Sequence, residues 1–314
     1  MALWIALKIG VRNLSNQFKR SNMSNSEKIY NRPQCIVLPF QSDPSEELNG
    51  VALALHFLLG NVMVLHSGLK ECWFGWRAGK IFKQKADLQA YCRGKEISVD
   101  LPRFGTEQNV RFWLHGKAGN RFATVFLFDA AGNEQHLSKY IPVTCADGLV
   151  EFRRIFLDYL AACGQPFPVE RVQQTLWPEP ISLQGLDILG CALEVFYLHS
   201  AYEGKGKIDS TLFAKAAAVA PNSFMAQALL GWASYRNRNY RAAKESFLRA
   251  LRSNPHGIGA MSGLMWCGVH TGDRGEAQFW AARKAEMRGE DIEEARQKAL
   301  NSITLFTRSL ETFS

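Results

Sequence analysis

An α+β fold is predicted, with a mixed α/β part in the N-terminal half and stacked helical hairpins in the C-terminal part. Three observations predict it. Before residue 164, short apolar runs alternate with helix and turn signals. Pro166, Pro168, Pro178 and Pro180 then interrupt the chain within fifteen residues. After them the apolar pattern is helical and recurs every 34 residues.

A chain of 314 residues suggests two domains, each long enough to bury its own core. The hydrophobic fraction of 47% and charged fraction of 21% are those of an ordinary soluble globular protein. The net charge of +8 favours an acidic partner over a basic one, and is too dilute over this length to indicate nucleic acid. The seven cysteines are widely spaced, with no C-x-x-C pair. They read as buried free thiols in a reducing compartment, so a cytoplasmic protein is expected.

Residues 1–32 form a leader. Met1 to Val11 is apolar except for Lys8, and no acid precedes Glu27. The leader reads as disordered, as an extension upstream of Met23, or as a basic amphipathic helix on a membrane surface. Membrane contact is expected through this segment if at all.

Residues 33–164 read as α/β. Cys35 to Phe40 is a short buried strand that Pro39 helps to end. Asp43 to Glu47 starts a helix over Leu48 to Leu59, with Gly60 as its cap. Asn61 to Leu65 reads as a second strand, and Ala86 to Arg93 as a short helix closed by Gly94. Val110 to His115 and Arg121 to Phe128 are strands joined by a turn, and a third strand follows near Gln135 to Val143. Leu149 to Ala162 is an amphipathic helix. Residues 165–180 read as a stiff linker between independently folding units.

Residues 181–314 carry the repeat. Counting Phe224 as the first position, Leu230, Gly231, Ala243, Phe247, Ala250 and Pro255 occupy the signature positions of the tetratricopeptide repeat. Gly231 and Ala243 are small enough for two helices to pack closely, Tyr240 and Phe247 fill the contact, and Pro255 stops the second helix. The preceding repeat keeps Phe213, Ala216 and Pro221 in frame, although Tyr197 occupies a small-residue position. The following one starts at Ile258 and keeps Leu264, Gly272 and Ala277, with Met265 in place of the small residue. Asp291 to Leu305 reads as a capping helix over the last apolar face.

This part therefore resembles the tetratricopeptide family. The N-terminal part resembles the TolB-like domain, through Ile36-Val-Leu-Pro-Phe40, Val110-Arg-Phe-Trp-Leu-His-Gly116 and Phe126-Leu-Phe-Asp-Ala-Ala-Gly132. The two resemblances imply an adaptor or scaffold in bacterial signalling or assembly that binds a partner protein or peptide in a concave groove. The expected groove residues are Met225, Ala228, Trp232, Tyr235, Arg236, Ser262, Trp266, Val269 and His270. Trp232 and Trp266 lie 34 residues apart at one repeat position, and read equally as partner anchors or as core residues. Arg238, Arg241, Lys244, Arg249 and Arg252, with Arg236, face the single acid Glu245 in one hairpin. This basic patch is a solvated face, or else a contact for an acidic partner or nucleic acid.

Signals for catalysis are weak. Gly75 to Lys80 is one residue short of a phosphate loop, and Ile81 stands where a hydroxyl would hold magnesium. Gly204 to Lys207 lacks the last glycine of a dinucleotide fingerprint, and the seven histidines show no metal spacing. Cys35 or Cys145 with His115 would make a nucleophile and base only in a favourable geometry. Neither an enzyme nor a cofactor is expected.

Overall fold

The computed structural model describes residues 34–42, 50–66, 70–72, 78–95, 110–119, 122–129, 134–142, 179–203 and 206–311, with isolated positions between them. The leader, the linker from 165 to 178 and most of the helix expected over Leu149 to Ala162 lie outside these residues. The chain forms two compact units, Pro33–Leu264 and a second that contains Met265–Ser314.

In the first unit, β1 (Gln34–Val37), β2 (Gln41–Ser42), β3 (Lys70–Cys72), β4 (Val110–Ala118), β5 (Phe122–Asp129) and β6 (Glu134–Pro142) form one sheet. The order is β3-β1-β4-β5-β6, with β2 also on β4. β1 runs parallel to β3 and β4, while β4, β5 and β6 form an antiparallel meander. Pro39, which has no amide hydrogen, falls in the gap between β1 and β2, where the ladder does not need one.

The first helix, α1 (Val51–His66), corrects one expectation. Gly60 does not end it, and Asn61 to Leu65 is helix rather than strand; the second strand comes later, as β3. A short β-branched run reads alike as either element, and burial decides here. Residues 51 to 60 are buried without exception. A helix apolar on all sides needs cover on two faces. The sheet covers one, and α4 (Leu183–Leu198) covers the other.

The α1–α4 contact is a close backbone approach. A methyl group at Gly190 would overlap the Gly50 carbonyl, and one at Gly50 would overlap the Asp187 carbonyl. The Gly50 N–H donates to Asp187 Oδ1 at 2.8 Å. One turn and more along, His56 Nε2 and the Tyr197 hydroxyl are hydrogen-bonded at 2.6 Å. The Phe74 ring lies 5.0 Å from that of Tyr197 and 6.3 Å from that of Phe82. Phe82 lies between the short helices α2 (Ala78–Ile81) and α3 (Lys85–Cys92), whose Tyr91 ring it meets at 5.0 Å. A π-helical turn, His199–Glu203, follows α4, and the Tyr202 hydroxyl donates to the Phe82 carbonyl at 2.8 Å. The two sides of the expected linker thus share one core. This also explains Tyr197 at a position where the repeat calls for a small residue: its face of α4 meets α1.

Burial pushes His56 down to about 3, against a smaller upward pull from the Leu38 carbonyl. His115, stacked on Phe126 at 5.0 Å, is pushed down to about 4 by burial and by Lys117. Both rings are neutral in the fold, whereas the unfolded chain binds their protons near pH 6.5. Their stabilising contribution is therefore complete above pH 6.5 and is lost as pH falls toward 4 and 3. Each histidine should cost roughly 2 kcal/mol at pH 5 relative to pH 8. Urea unfolding at the two pH values measures this, and His56→Gln should make the dependence shallower.

The chain continues as α5 (Thr211–Val219), α6 (Phe224–Arg236), α7 (Tyr240–Ser253), α8 (Ile258–Thr271), α9 (Arg274–Arg288) and α10 (Ile292–Glu311). The division between units falls within α8. In the second unit, Met265, Val269, Ala277, Ala281, Ala299 and Ile303 form a small core edged by Trp266, Trp280, Ala295 and Leu300. Met265 stands where a small residue would let the helices approach, and the close contact is made one turn later. A methyl at Gly268 would lie 2.8 Å from the Ala277 amide nitrogen, so this glycine lets α9 approach. Asp273 caps α9 by accepting from the Glu276 N–H, and Gly289 ends it in the left-handed conformation, φ 64°. The expected capping helix is α10, longer at its C-terminal end. Among the described residues, no helix is long and apolar enough to cross a membrane.

Candidate partner-binding surface

The hairpin α6–α7 holds most of the residues singled out in the sequence. Ser223 starts α6 by accepting from the Ala226 N–H at 3.1 Å. Its hydroxyl donates to Glu179, whose Oε1 also accepts from the Met225 N–H at 3.2 Å. Glu179 is buried, and a carboxylate at a helix N-terminus satisfies donors that the helix leaves open. Sequence reasoning placed this residue in the linker and missed the role.

Arg238, at φ 62°, makes the turn after α6. The Asn237 side chain pairs with the backbone of Ile208 in both directions, at 2.7 and 3.0 Å. Asn239 then caps α7 by accepting from the Ala242 N–H at 3.2 Å. Between the helices, Phe247 is fully buried. A methyl at Gly231 would lie 2.6 Å from its ring, and one at Gly263 would overlap it. Gly231 was legible as a signature position; Gly263 was not, because its partner lies in the preceding hairpin.

The expected groove residues divide. Met225 and Ala228 are buried and present no surface, which corrects their assignment as contacts. Arg236 is drawn inward: it donates to Ser200 Oγ at 3.1 Å, and its guanidinium lies over the Phe196 ring at 5.8 Å. Desolvation lowers its proton affinity. Trp232 and Tyr235 are half-buried and meet edge to face at 5.5 Å. Trp232 also meets Phe247 at 5.3 Å, and Tyr235 meets Tyr240 at 5.8 Å. Trp232 is therefore core on one side and open on the other, between the two readings the sequence left open. Ser262 is half-buried.

In the second unit Val269 is buried, which corrects its assignment too. Trp266 edges the core cluster, 6.4 Å from the His270 ring, which in turn meets Phe306 at 4.3 Å.

No protein-family model matches the chain, and no curated protein matches it.

The basic patch divides as well. Arg249 donates to Gln227 Oε1 at 3.0 Å and to Ser246 Oγ at 3.1 Å. Gln227 passes the connection to the Pro221 carbonyl at 3.1 Å. Arg249 thus ties α7 to α6 and to the turn before it. Arg238, Arg241 and Arg252 are exposed, and Lys244 is half-buried. Arg241 lies 3.4 Å from Glu245, an exposed pair of little energetic weight.

The imagined thiol–imidazole pair does not assemble. Cys35 is aligned with Phe112 across a parallel ladder, so His115, three residues on, points to the other face of the sheet. Cys145 lies outside the described residues. Among the described residues, no cluster of three or more histidine, cysteine or acidic side chains could hold a metal ion.

Proposed function

We propose that this chain is a non-enzymatic interaction protein: an adaptor whose helical hairpins are of the tetratricopeptide kind, joined to a TolB-like sheet domain. The observation that carries this reading is the seating of Phe247 between Gly231 and Gly263. Gly231, at a repeat position, lets α6 and α7 come together there, and Gly263 lets α8 close over the same ring, as stacked hairpins require. The half-open edge formed by Trp232 and Tyr235 supplies rigid apolar surface with polar tips, suited to gripping a partner's side chains. The proposed setting, bacterial signalling or assembly, rests on the family resemblances alone. A nucleic-acid reading has less support, because Arg236 and Arg249 are engaged in hydrogen bonds within the protein.

The test uses the full chain as an immobilised bait, with captured proteins identified by mass spectrometry. Trp232→Ala should weaken the recovered complex by about 2 kcal/mol or more. It should also lower thermal stability, since the contact with Phe247 goes. Phe196→Ala, a core change in α4, should lower stability while sparing the complex at temperatures where the variant is folded. Capture that ignores Trp232→Ala would overturn the proposed contact.

A further inference from the structure

The outer face of the first unit's second helices carries a pattern that the aromatic edge does not use. Between Thr211 and Ser253 the sequence has seven cations, Lys215, Arg236, Arg238, Arg241, Lys244, Arg249 and Arg252, against Glu245 alone. Two of the seven, Arg236 and Arg249, are held internally. Of the others, Lys215, Arg238, Arg241 and Arg252 are exposed, and the same stretch carries two exposed aliphatic residues. Val219 on α5 is 48% exposed and Leu248 on α7 is 44% exposed. In the described part of this unit they are the large apolar side chains most open to solvent.

Their spacing is regular. On α7, Arg241, Leu248 and Arg252 stand at i, i+7 and i+11, one stripe of a helix with 3.6 residues per turn. Ala243, Ser246, Phe247 and Ala250 are buried on the opposite side. On α5, Lys215 precedes Val219 by one turn, while Phe213, Ala216 and Ala217 are buried. The network from Arg249 through Gln227 to the Pro221 carbonyl joins α7 to the turn that follows α5. Each helix therefore presents an aliphatic side chain outward with cations one turn away.

We infer that this outer face docks an acidic amphipathic protein segment, whose apolar side chains meet Leu248 and Val219 and whose carboxylates meet Arg241, Arg252 and Lys215. Charge complementarity selects the occupant. A nucleic acid fits less well, because Leu248 and Val219 offer no ring for a base to stack on. The inference rests on the interaction reading but uses a separate surface from Trp232.

The experiment is fluorescence anisotropy with the full chain at about 0.1 M salt, where contacts within the roughly 10 Å Debye length survive. The probe is a labelled synthetic glutamate-rich helix of about 16 residues, roughly the length of α7, with leucines at helical spacing. A second peptide has the leucines replaced by serine, and a third probe is a single-stranded RNA of similar charge. The leucine peptide should bind, and the serine peptide should bind at least about tenfold more weakly. Leu248→Asp and the pair Arg241→Glu with Arg252→Glu should each weaken the leucine peptide by about tenfold or more. These side chains are exposed, so the variants should keep their thermal midpoints. Trp232→Ala should leave peptide binding unchanged. Equal binding of the two peptides, binding that ignores the outer-face variants, or no binding would overturn the inference. So would RNA that binds more tightly and is lost in the same variants. Trp232-dependent capture by the bait would still stand in all these cases, which keeps failure here separate from failure of the interaction reading.

Discussion

Gly190→Ala is expected to destabilise the first unit by about 3 kcal/mol or more, at the upper end of overpacking costs. The added methyl group would fall on the Gly50 carbonyl, and the obstacle is backbone, which cannot rotate away. α4 would have to lift from α1. The Gly50–Asp187 bond at 2.8 Å and the His56–Tyr197 bond at 2.6 Å would both stretch, leaving buried polar groups short of partners. The control is Gly259→Ala, where the nearest atom to a new methyl group is Asn61 Oδ1 at 3.8 Å. That change, in the first turn of α8, should be neutral or slightly stabilising. Urea unfolding followed by tryptophan fluorescence compares the two. Because α1 and α4 share a core, the sheet and the helices through α7 should also unfold in one transition. A Gly190→Ala protein as stable as the parent would show that these helices do not approach as described.

Phe247→Ala carries the second large expected loss, on the order of 3–5 kcal/mol. The ring is fully buried, faces Gly231 and Gly263, and meets Trp232 at 5.3 Å. Glycine has no side chain that can move into the space the ring leaves, so the cavity should persist. Phe247→Leu should recover part of the loss by refilling some of the volume. A second check is solvent access to Trp232: the alanine variant should be more open to a fluorescence quencher than the parent. An unchanged melting midpoint in Phe247→Ala would remove the packing argument on which the hairpin reading depends.

Much of the helical part was legible because its code is local. Gly231, Ala243 and Phe247 stand at spacings set by the helix itself. The strands β4, β5 and β6 were legible for the same reason, since turn residues separate their runs. Where the reading went astray, a distant partner decided. Nothing near Gly60 says whether the chain turns there or stays helical; the cover that α4 provides does. Met225 and Ala228 have the spacing of groove residues, yet they are buried. Arg236 and Arg249 look like members of a basic patch until Ser200 and Gln227 are placed beside them.

From its sequence alone, this protein was determined to be an α+β chain with a C-terminal series of helical hairpins, and to be strongly basic between Thr211 and Ser253. Those properties follow from periodicity, capping and charge, each a function of residues close together in the chain. Only the tertiary structure decided that Glu179 caps a helix from within the proline-rich segment, that α1 and α4 share a core, and which cations face outward. Each of these depends on groups 22 to 141 residues apart, such as Arg249 with Gln227 (22 apart), Glu179 with Ser223 (44) and His56 with Tyr197 (141). The desolvation and hydrogen bonding that fix their roles exist only once the fold has brought them together.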